Sequence, residues 1–306
     1  MIELLISLLV ATIIIMGVYK FLTGSHRSFT FTKANDNVNR SMMISNRTMS
    51  NYMKLAGFRN YRRVIDNITF EKATVTFEDG ESVTFPLNTF IMGRPTGLTV
   101  PAVMAQPNDI LYLRYYGSSI DDDLSEISIT PSNVARDTPN NRMYDCEGNF
   151  LNRMQEAFLR FSVTAADGLV CQQIIREFHE DGTHDDGDVT VVSLNPNVIS
   201  ILFGFRIDGN ASFLMSDEVG TAVHSSDSTP MSTSNYELVN ALRYGILVRQ
   251  NTHQKITKTT ETQVYHMLGF TDADDSDVAQ IEANDTDIYQ LVSGILFMRN
   301  RFIDNE

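Results

Sequence analysis

Residues 1–57 contain no proline, and that absence permits one continuous helix of roughly 85 Å, far longer than a usual globular helix. Its first nineteen residues, MIELLISLLVATIIIMGVY, carry a single charge, Glu3. At about 1.5 Å per residue such a run nearly crosses a bilayer core of about 30 Å. Beyond Lys20 the apolar character narrows to one stripe, Phe31, Ala34, Val38, Met42, Ser45, Met49, Tyr52 and Ala56, spaced by three or four. A stripe of this kind belongs to an amphipathic helix that packs along its length on a partner. The sequence therefore predicts a helix over 1–57 whose first 22 residues protrude, with its weakest points at Gly17 and Gly24, each costing about 1 kcal/mol relative to alanine.

Glu3 is out of place in that run. A carboxylate in a membrane span costs about 2.5 to 3.5 kcal/mol at the centre and less near the interface, and is a functional candidate by default. The segment IELLISLLVATIIIMGVYKFL, with its embedded glutamate, resembles the N-terminal helix of type IV pilins and of type II secretion pseudopilins. The resemblance implies that Glu3 pairs with the N-terminal amine of a neighbouring subunit during assembly. In that family the glutamate is fifth in the mature chain, after a leader ending in glycine; here it is third, so the resemblance places the family's mature start two residues before Met1 and leaves the amine partner unassigned. No short polar stretch with small residues follows the apolar run as a cleavage site, so the run reads as retained.

The charge is divided unevenly. Residues 1–57 hold six Lys and Arg against Glu3 and Asp36, a surplus of +4, so that of the formal net charge of −14 the other 249 residues carry −18. A body so acidic is unsuited to nucleic acid, which is bound through basic patches that displace counterions. Lys20 and Arg27 fit an interface flank or the interior of a filament.

After Gly57 the periodicity turns from helical to alternating. Ala73 to Phe77 and Ser82 to Phe85 flank an Asp79-Gly80 turn and predict a hairpin. Residues 86–108, rich in Pro, Gly and Asn, read as a long loop. Ile110 to Tyr116 reads as a strand, and residues 120–123 return the chain to solvent. A second hairpin is expected from Leu159 to Thr164 and Leu169 to Arg176 through Asp167-Gly168. Further strands are expected at Val189 to Leu194, Val198 to Ile207, Thr259 to Met267 and Tyr289 to Arg299. Leu238 to Arg249 fits a helix as well as a strand on periodicity, because Leu238, Leu242, Gly245 and Ile246 share a helical face. The stretch 216–235 reads as a surface excursion or an exposed lobe.

The two cysteines, Cys146 and Cys171, fit no CxxC redox or zinc pattern. In an exported chain they read as a disulfide that pins an irregular Asp-Cys-Glu-Gly turn to the second strand of the hairpin. Closing that loop is worth roughly 3 kcal/mol in the chain-entropy treatment. The order YDCEGNFLNRMQEAFLRFSVTAADGLVC, VISILFGFRIDGN, LVNALRYGILVRQ and GILFMRNRF is similar to that of PilW-type minor pilins. That similarity implies strand for 238–249 and an α+β fold: a long N-terminal helix (1–57, with 1–22 in the membrane or filament core) packed on an antiparallel β-rich head (58–306).

No GxSxG, HExxH, GxxxxGK[ST] or GxGxxG motif occurs, and the histidines at 26, 179, 184, 224, 253 and 266 lack ligand spacing, so no catalytic, cofactor or metal residue is expected. Arg206, Arg243, Arg299 and Arg301 read as structural salt-bridge partners. The acidic runs 180–188 and 272–277 supply oxygen ligands but not EF-hand spacing; solvated loops are expected, with loop calcium, which some pseudopilins hold, as the second-ranked reading. The resemblance implies a subunit of a type IV pilus-like filament, resident in the inner membrane before assembly and extracellular afterwards, with other pilin subunits or its own copies as partners. The alternatives are the main subunit of its own homopolymer, a secretion-system pseudopilin, or an ectodomain that uses 1–22 only as an anchor.

Overall fold

The computed structural model describes residues 2–58, 70–96, 103–105, 108–117, 143–152, 154–179, 183–208, 212–219, 233–250, 262–269, 278–281 and 287–298. The fold is α+β. Helix α1 (Ile2–Leu55) runs without interruption for 54 residues, through Gly17 and Gly24, its expected weakest points. One glycine in a helix of this length removes about 1 kcal/mol, too little to break a ladder continued on both sides. The helix ends where Gly57 takes φ +74°, a left-handed conformation that terminates helices. Gly57 N donates to Arg114 O at 3.0 Å, and a β-carbon there would stand 2.9 Å from the Phe90 ring. The chain thus leaves the helix directly into the sheet.

Among the described residues α1 is followed by the strands β1 (Ala73–Thr76), β2 (Ser82–Phe85), β3 (Ile91–Thr96), β4 (Val103–Ala105), β5 (Asn108–Tyr116), β6 (Gln155–Thr164), β7 (Gly168–Phe178), β8 (His184–Asp186), β9 (Thr190–Asn195), β10 (Val198–Ile207), β11 (Leu214–Met215), β12 (Val239–Gln250), β13 (Gln263–His266), β14 (Val278–Ile281) and β15 (Ile288–Phe297), with a 3-10 helix (Thr233–Leu238) before β12. Among the described residues all strand pairings are antiparallel. The larger sheet has the order β3-β5-β6-β7-β8, with β9 on the other stretch of the β7 edge; a second sheet is β11-β10-β12-β15, a third β13-β14-β4, and β1-β2 forms a hairpin. Alternation explains the layering. Leu111, Leu113, Tyr115, Leu159 and Phe161 face a main core shared with Ile201, Phe203, Phe205, Leu242 and Ile246 of the second sheet. The opposite face of the larger sheet, with Ile110, Tyr112, Phe158 and Ile174, is covered by Val75, Phe77 and Phe85 of the hairpin. Ile199, Leu202 and Leu247 on the back of the second sheet are covered by Met267, Leu268, Ala279 and Ile281.

The second half of α1 lies against β12 and β15 on one side and β9 and β5 on the other. Of the expected stripe, Ala34, Val38, Ser45, Met49 and Ala56 are buried and Met42 and Tyr52 half-buried, while Ser41 and Met53, which the stripe did not include, are buried with them. Phe31 is not buried with them; it is 44% exposed, because the head begins to cover the helix only at Ala34.

The alternating strands and both hairpins stand as the sequence predicts, and 239–250 is strand. Three further expectations are corrected. Residues 86–108 are not one long loop: β3 and β4 lie within them. The proline and glycine of β3 are tolerated because it is an edge strand, where a missing N–H leaves no ladder bond unmade. The acidic run near 184 contains the short strand β8, held by Arg176 on β7. Arg206 donates to Asn240 Oδ1 at 3.0 Å and lies over the Phe297 ring, so it is held by an amide and an aromatic face rather than by a carboxylate among the described residues. Of the 216–235 stretch, residues 220–232 lie outside the described residues; its described ends hold to the fold through buried Ser216 and Val219 and through a 3-10 helix at Thr233–Leu238. The stretches 120–123 and 272–277, with Arg299 and Arg301, lie outside the described residues.

Candidate functional site

From Ile2 to Leu22 every residue of α1 is exposed, Leu4 by 71% and Ile6 by 58%. No described part of the chain covers this apolar cylinder, which is long and apolar enough to cross a membrane. Its serine and threonine hydroxyls, with that of Thr23 just beyond it, bond within the helix. Ser7 Oγ donates to Leu4 O at 2.9 Å, Thr12 Oγ1 to Leu9 O at 2.8 Å and Thr23 Oγ1 to Tyr19 O at 2.6 Å. Hydroxyls that bond back to the preceding turn can enter an apolar medium without leaving a donor unmet. Glu3 is different: it makes no hydrogen bond or ion pair among the described residues, so its carboxylate needs a partner from outside the described chain in any water-poor setting.

The helix is fastened to the head by polar contacts as well as by its apolar stripe. Ser41 Oγ donates to Asn195 Oδ1 at 3.0 Å, and Asn195 Nδ2 reaches Ser41 O at 3.0 Å and Ser45 Oγ at 2.6 Å. Asn46 Oδ1 accepts from Tyr244 OH at 2.6 Å. Both serines and Asn195 are buried. Sequence pattern includes Ser45 in the stripe but gives no sign of Asn195, whose partners are some 150 residues away.

Cys146 and Cys171 form a disulfide, with Cα atoms 6.2 Å apart. Cys171 lies on β7 opposite Phe161, and Cys146 lies in a turn organised by the Asp145 carboxylate, which accepts from Glu147 N at 2.9 Å and Asn149 N at 2.7 Å. Gln173, two residues beyond Cys171, accepts from Cys146 N at 2.5 Å and donates to Asp145. Tyr52 of α1 donates to Asp145 O at 2.9 Å, and burial, helped by the Asp145 charge, pushes its phenol up to about 12. The disulfide turn therefore abuts the last turns of α1, far along the helix from Glu3.

A row of charge crosses the covered face of the larger sheet, unforeseen in the sequence. Arg114 (β5), Glu156 (β6), Arg176 (β7) and Asp186 (β8) alternate in sign over four adjacent strands. Arg114 Nε is 2.6 Å from Glu156 Oε1 with both side chains buried, Glu156 stands opposite Arg176 in register, and Arg176 Nε is 2.5 Å from Asp186. The Arg176 hydrogen bond holds Asp186 below the usual carboxylate range. Both Asp186 oxygens are engaged this way, and Asp185 contacts His179 Nε2 at 3.0 Å. Among the described residues no group of three ligating side chains gathers as a metal site. The alternation of LYLRYY did contain the signal, since it places Arg114 on the face of Tyr112 and Tyr116 rather than outside a fold.

Where the sheets meet, Asn108 Oδ1 and Asp109 Oδ2 accept from Ile201 N at 3.0 Å and Phe203 N at 2.8 Å, so two β5 side chains close backbone groups of β10. Ser216 Oγ donates to Asp109 Oδ1 at 2.7 Å. Burial pushes the Asp109 carboxyl up to about 7 despite these donors, with the Asp217 charge acting in the same direction.

Compared with known protein families, curated proteins and solved structures, the chain matches none.

Proposed function

We propose that this chain is a structural subunit of a type IV pilus-like extracellular filament, a PilW-like pilin whose apolar N-terminal helix forms the filament core while the β-rich head faces outwards. The observation that carries the reading is the pairing of a fully exposed apolar helix half with one carboxylate, Glu3, that has no partner among the described residues, on the same rigid helix that the head grips further along. A bare anchor gains nothing from Glu3, whereas in a bundle of such helices an amine from the next copy neutralises it. Low dielectric strengthens that attraction and penalises either charge left alone. On this reading the chain waits in the inner membrane, enters the filament without catalysing a reaction, takes other pilin subunits or its own copies as partners, and does not bind nucleic acid through its acidic head.

Glu3→Ala tests it. The substituted chain should insert in membranes at least as well as the unsubstituted one, because a costly charge is gone. Its recovery in sheared filaments, measured at equal expression, should fall. Undiminished recovery would remove the pairing role and favour a membrane-anchored ectodomain.

A further inference from the structure

The face of α1 turned away from the head carries its own pattern. Lys33, Arg40 and Arg47 recur every seventh residue, and Lys54 continues the spacing. Seven residues are just under two helical turns, so each step drifts by only about 20° and advances about 10 Å. All four are exposed, on the side opposite Ala34, Val38, Ser41, Ser45 and Met49. Met43 and Ile44, 67% and 47% exposed, lie between Arg40 and Arg47 on this face. The result is a mixed basic and apolar ridge on a rigid rod. Among the described residues Lys33, Arg40 and Arg47 make no ion pair, and Asp36, on the same face, is not within bonding distance of them.

Two partners for such a ridge are ruled out by distance and charge. If 2–22 occupies a bilayer, Arg40 and Arg47 stand roughly 27 and 37 Å beyond Leu22 along a straight helix, well past the headgroup layer and more than the ~8 Å over which physiological salt lets charges act. Nucleic acid approaching the ridge would meet a head of charge −18 immediately behind it. The same −18 supplies the partner. Another copy of α1 offers only Glu3 and Asp36 as carboxylates, whereas another head presents many, among them Glu78, Glu177 and Asp188, which are exposed and form no ion pair with a described residue.

We propose that the Lys33, Arg40 and Arg47 ridge of one copy docks on the acidic head of a second copy. This rests on the assembly reading and names the contact that holds neighbouring heads together. The helix cores supply apolar association; the ridge supplies orientation, because opposite charges on rigid elements reject wrong placements more sharply than apolar surfaces do.

The test uses the full chain in two isotopic forms, expressed separately, mixed in membranes and treated with a zero-length carbodiimide cross-linker. Mixed-isotope links between Lys33 and carboxylates of residues 58–306 are expected, and Arg40→Lys should add a second site. Links confined to one copy, or running only to Glu3 or Asp36 of the other, overturn the contact. In parallel, Arg40→Glu combined with Arg47→Glu should weaken self-association about tenfold, and high salt should weaken the unsubstituted chain likewise. Normal filament yield from the doubly substituted chain overturns the ridge contact and leaves the filament reading standing. Mixed-isotope Lys33 links without any filament sustain the contact and sink the filament reading. Loss of binding to anionic vesicles with self-association intact would assign the ridge to lipid and overturn the proposal.

Discussion

The Arg114–Glu156 pair should dominate the stability of the head, and the reasoning can be tested by a double-mutant cycle. Arg114 is 1% and Glu156 0% exposed by side chain, and Arg114 also donates to Glu71 O at 2.5 Å. Its guanidinium stands 4.9 Å from the Phe70 centroid and 5.0 Å from that of Phe158, so most of its surface is closed by rings. Among the described residues, Arg114→Met would leave Glu156 in that dry layer with Arg176 as its nearby cation, and Glu156→Leu would leave Arg114 with a carbonyl as its hydrogen-bond partner. Removing one member of a buried pair costs about 3 to 5 kcal/mol, a large share of the roughly 5 to 15 kcal/mol that stabilises a whole domain. Replacing both by apolar groups leaves no orphan charge, so Arg114→Met with Glu156→Leu should cost less than either single change, within ~2 kcal/mol of the unsubstituted chain. With no tryptophan and eleven tyrosines, the transition is best followed in urea by near-ultraviolet circular dichroism of the full chain in detergent; Tyr112, Tyr115 and Tyr116 share a strand with Arg114. Single changes below about 1 kcal/mol, or a double change equal to the sum of the singles, would refute the reasoning.

Asp109 should make the head less stable as pH rises. Its folded carboxyl lies at about 7 against an ordinary 3.8, so between those values the folded state holds a proton that the unfolded state has lost. The contribution is fully present below about pH 4 and disappears as pH rises through 7, up to ~4 kcal/mol in all; Asp109→Asn should abolish this slope, and an unchanged difference between urea midpoints at pH 5 and pH 8 would contradict it. Cys146→Ser should cost roughly 3 kcal/mol by freeing a loop of 25 residues, seen as earlier protease cleavage, with one linked peptide pair lost from the non-reducing digest; equal protease resistance would show that Asp145 and Gln173 hold the turn without the disulfide.

What could be read in the sequence was what repeats locally. The helix stripe, the Asp79-Gly80 and Asp167-Gly168 turns and the alternating strands all announce themselves within ten residues, and the two cysteines needed only an oxidising context. What escaped was set by partners far apart in the chain. β3 looks like loop because Gly93 and Pro95 are poor strand formers; it is strand because β5 offers an edge and Ile91 a buried place. β8 has a sequence of three polar residues, His184 to Asp186, and exists because Arg176 faces Asp186. The buried charges were legible only in part: alternation places Arg114 on the face of Tyr112 and Tyr116, but only the hairpin folded over that face makes it interior. The same applies to Asp109, which looks like a turn residue beside Asn108 and instead closes the neighbouring sheet's backbone.

The polar knot of Ser41, Ser45 and Asn195 bears on the other end of the helix. Apolar contacts from Val38, Met49 and Met53 fix that α1 lies in its groove but discriminate weakly between positions along it, because methyl groups find methyl groups at many offsets. A slip of one residue advances a helix by about 1.5 Å and turns it by about 100°. Such a slip carries Ser41 and Ser45 away from Asn195 and leaves a buried amide with none of its helix partners, at a cost of about 1 to 3 kcal/mol for each unmet polar group. Because α1 is unbroken between Glu3 and Ser41, rotation at the knot is rotation at Glu3, roughly 57 Å away. The amide of Asn195 thereby sets both the height and the azimuth at which Glu3 and the Lys33, Arg40 and Arg47 ridge are presented relative to the head. The proposed filament would need each of those contacts to be made at one orientation, and a rod held only by apolar packing would offer several.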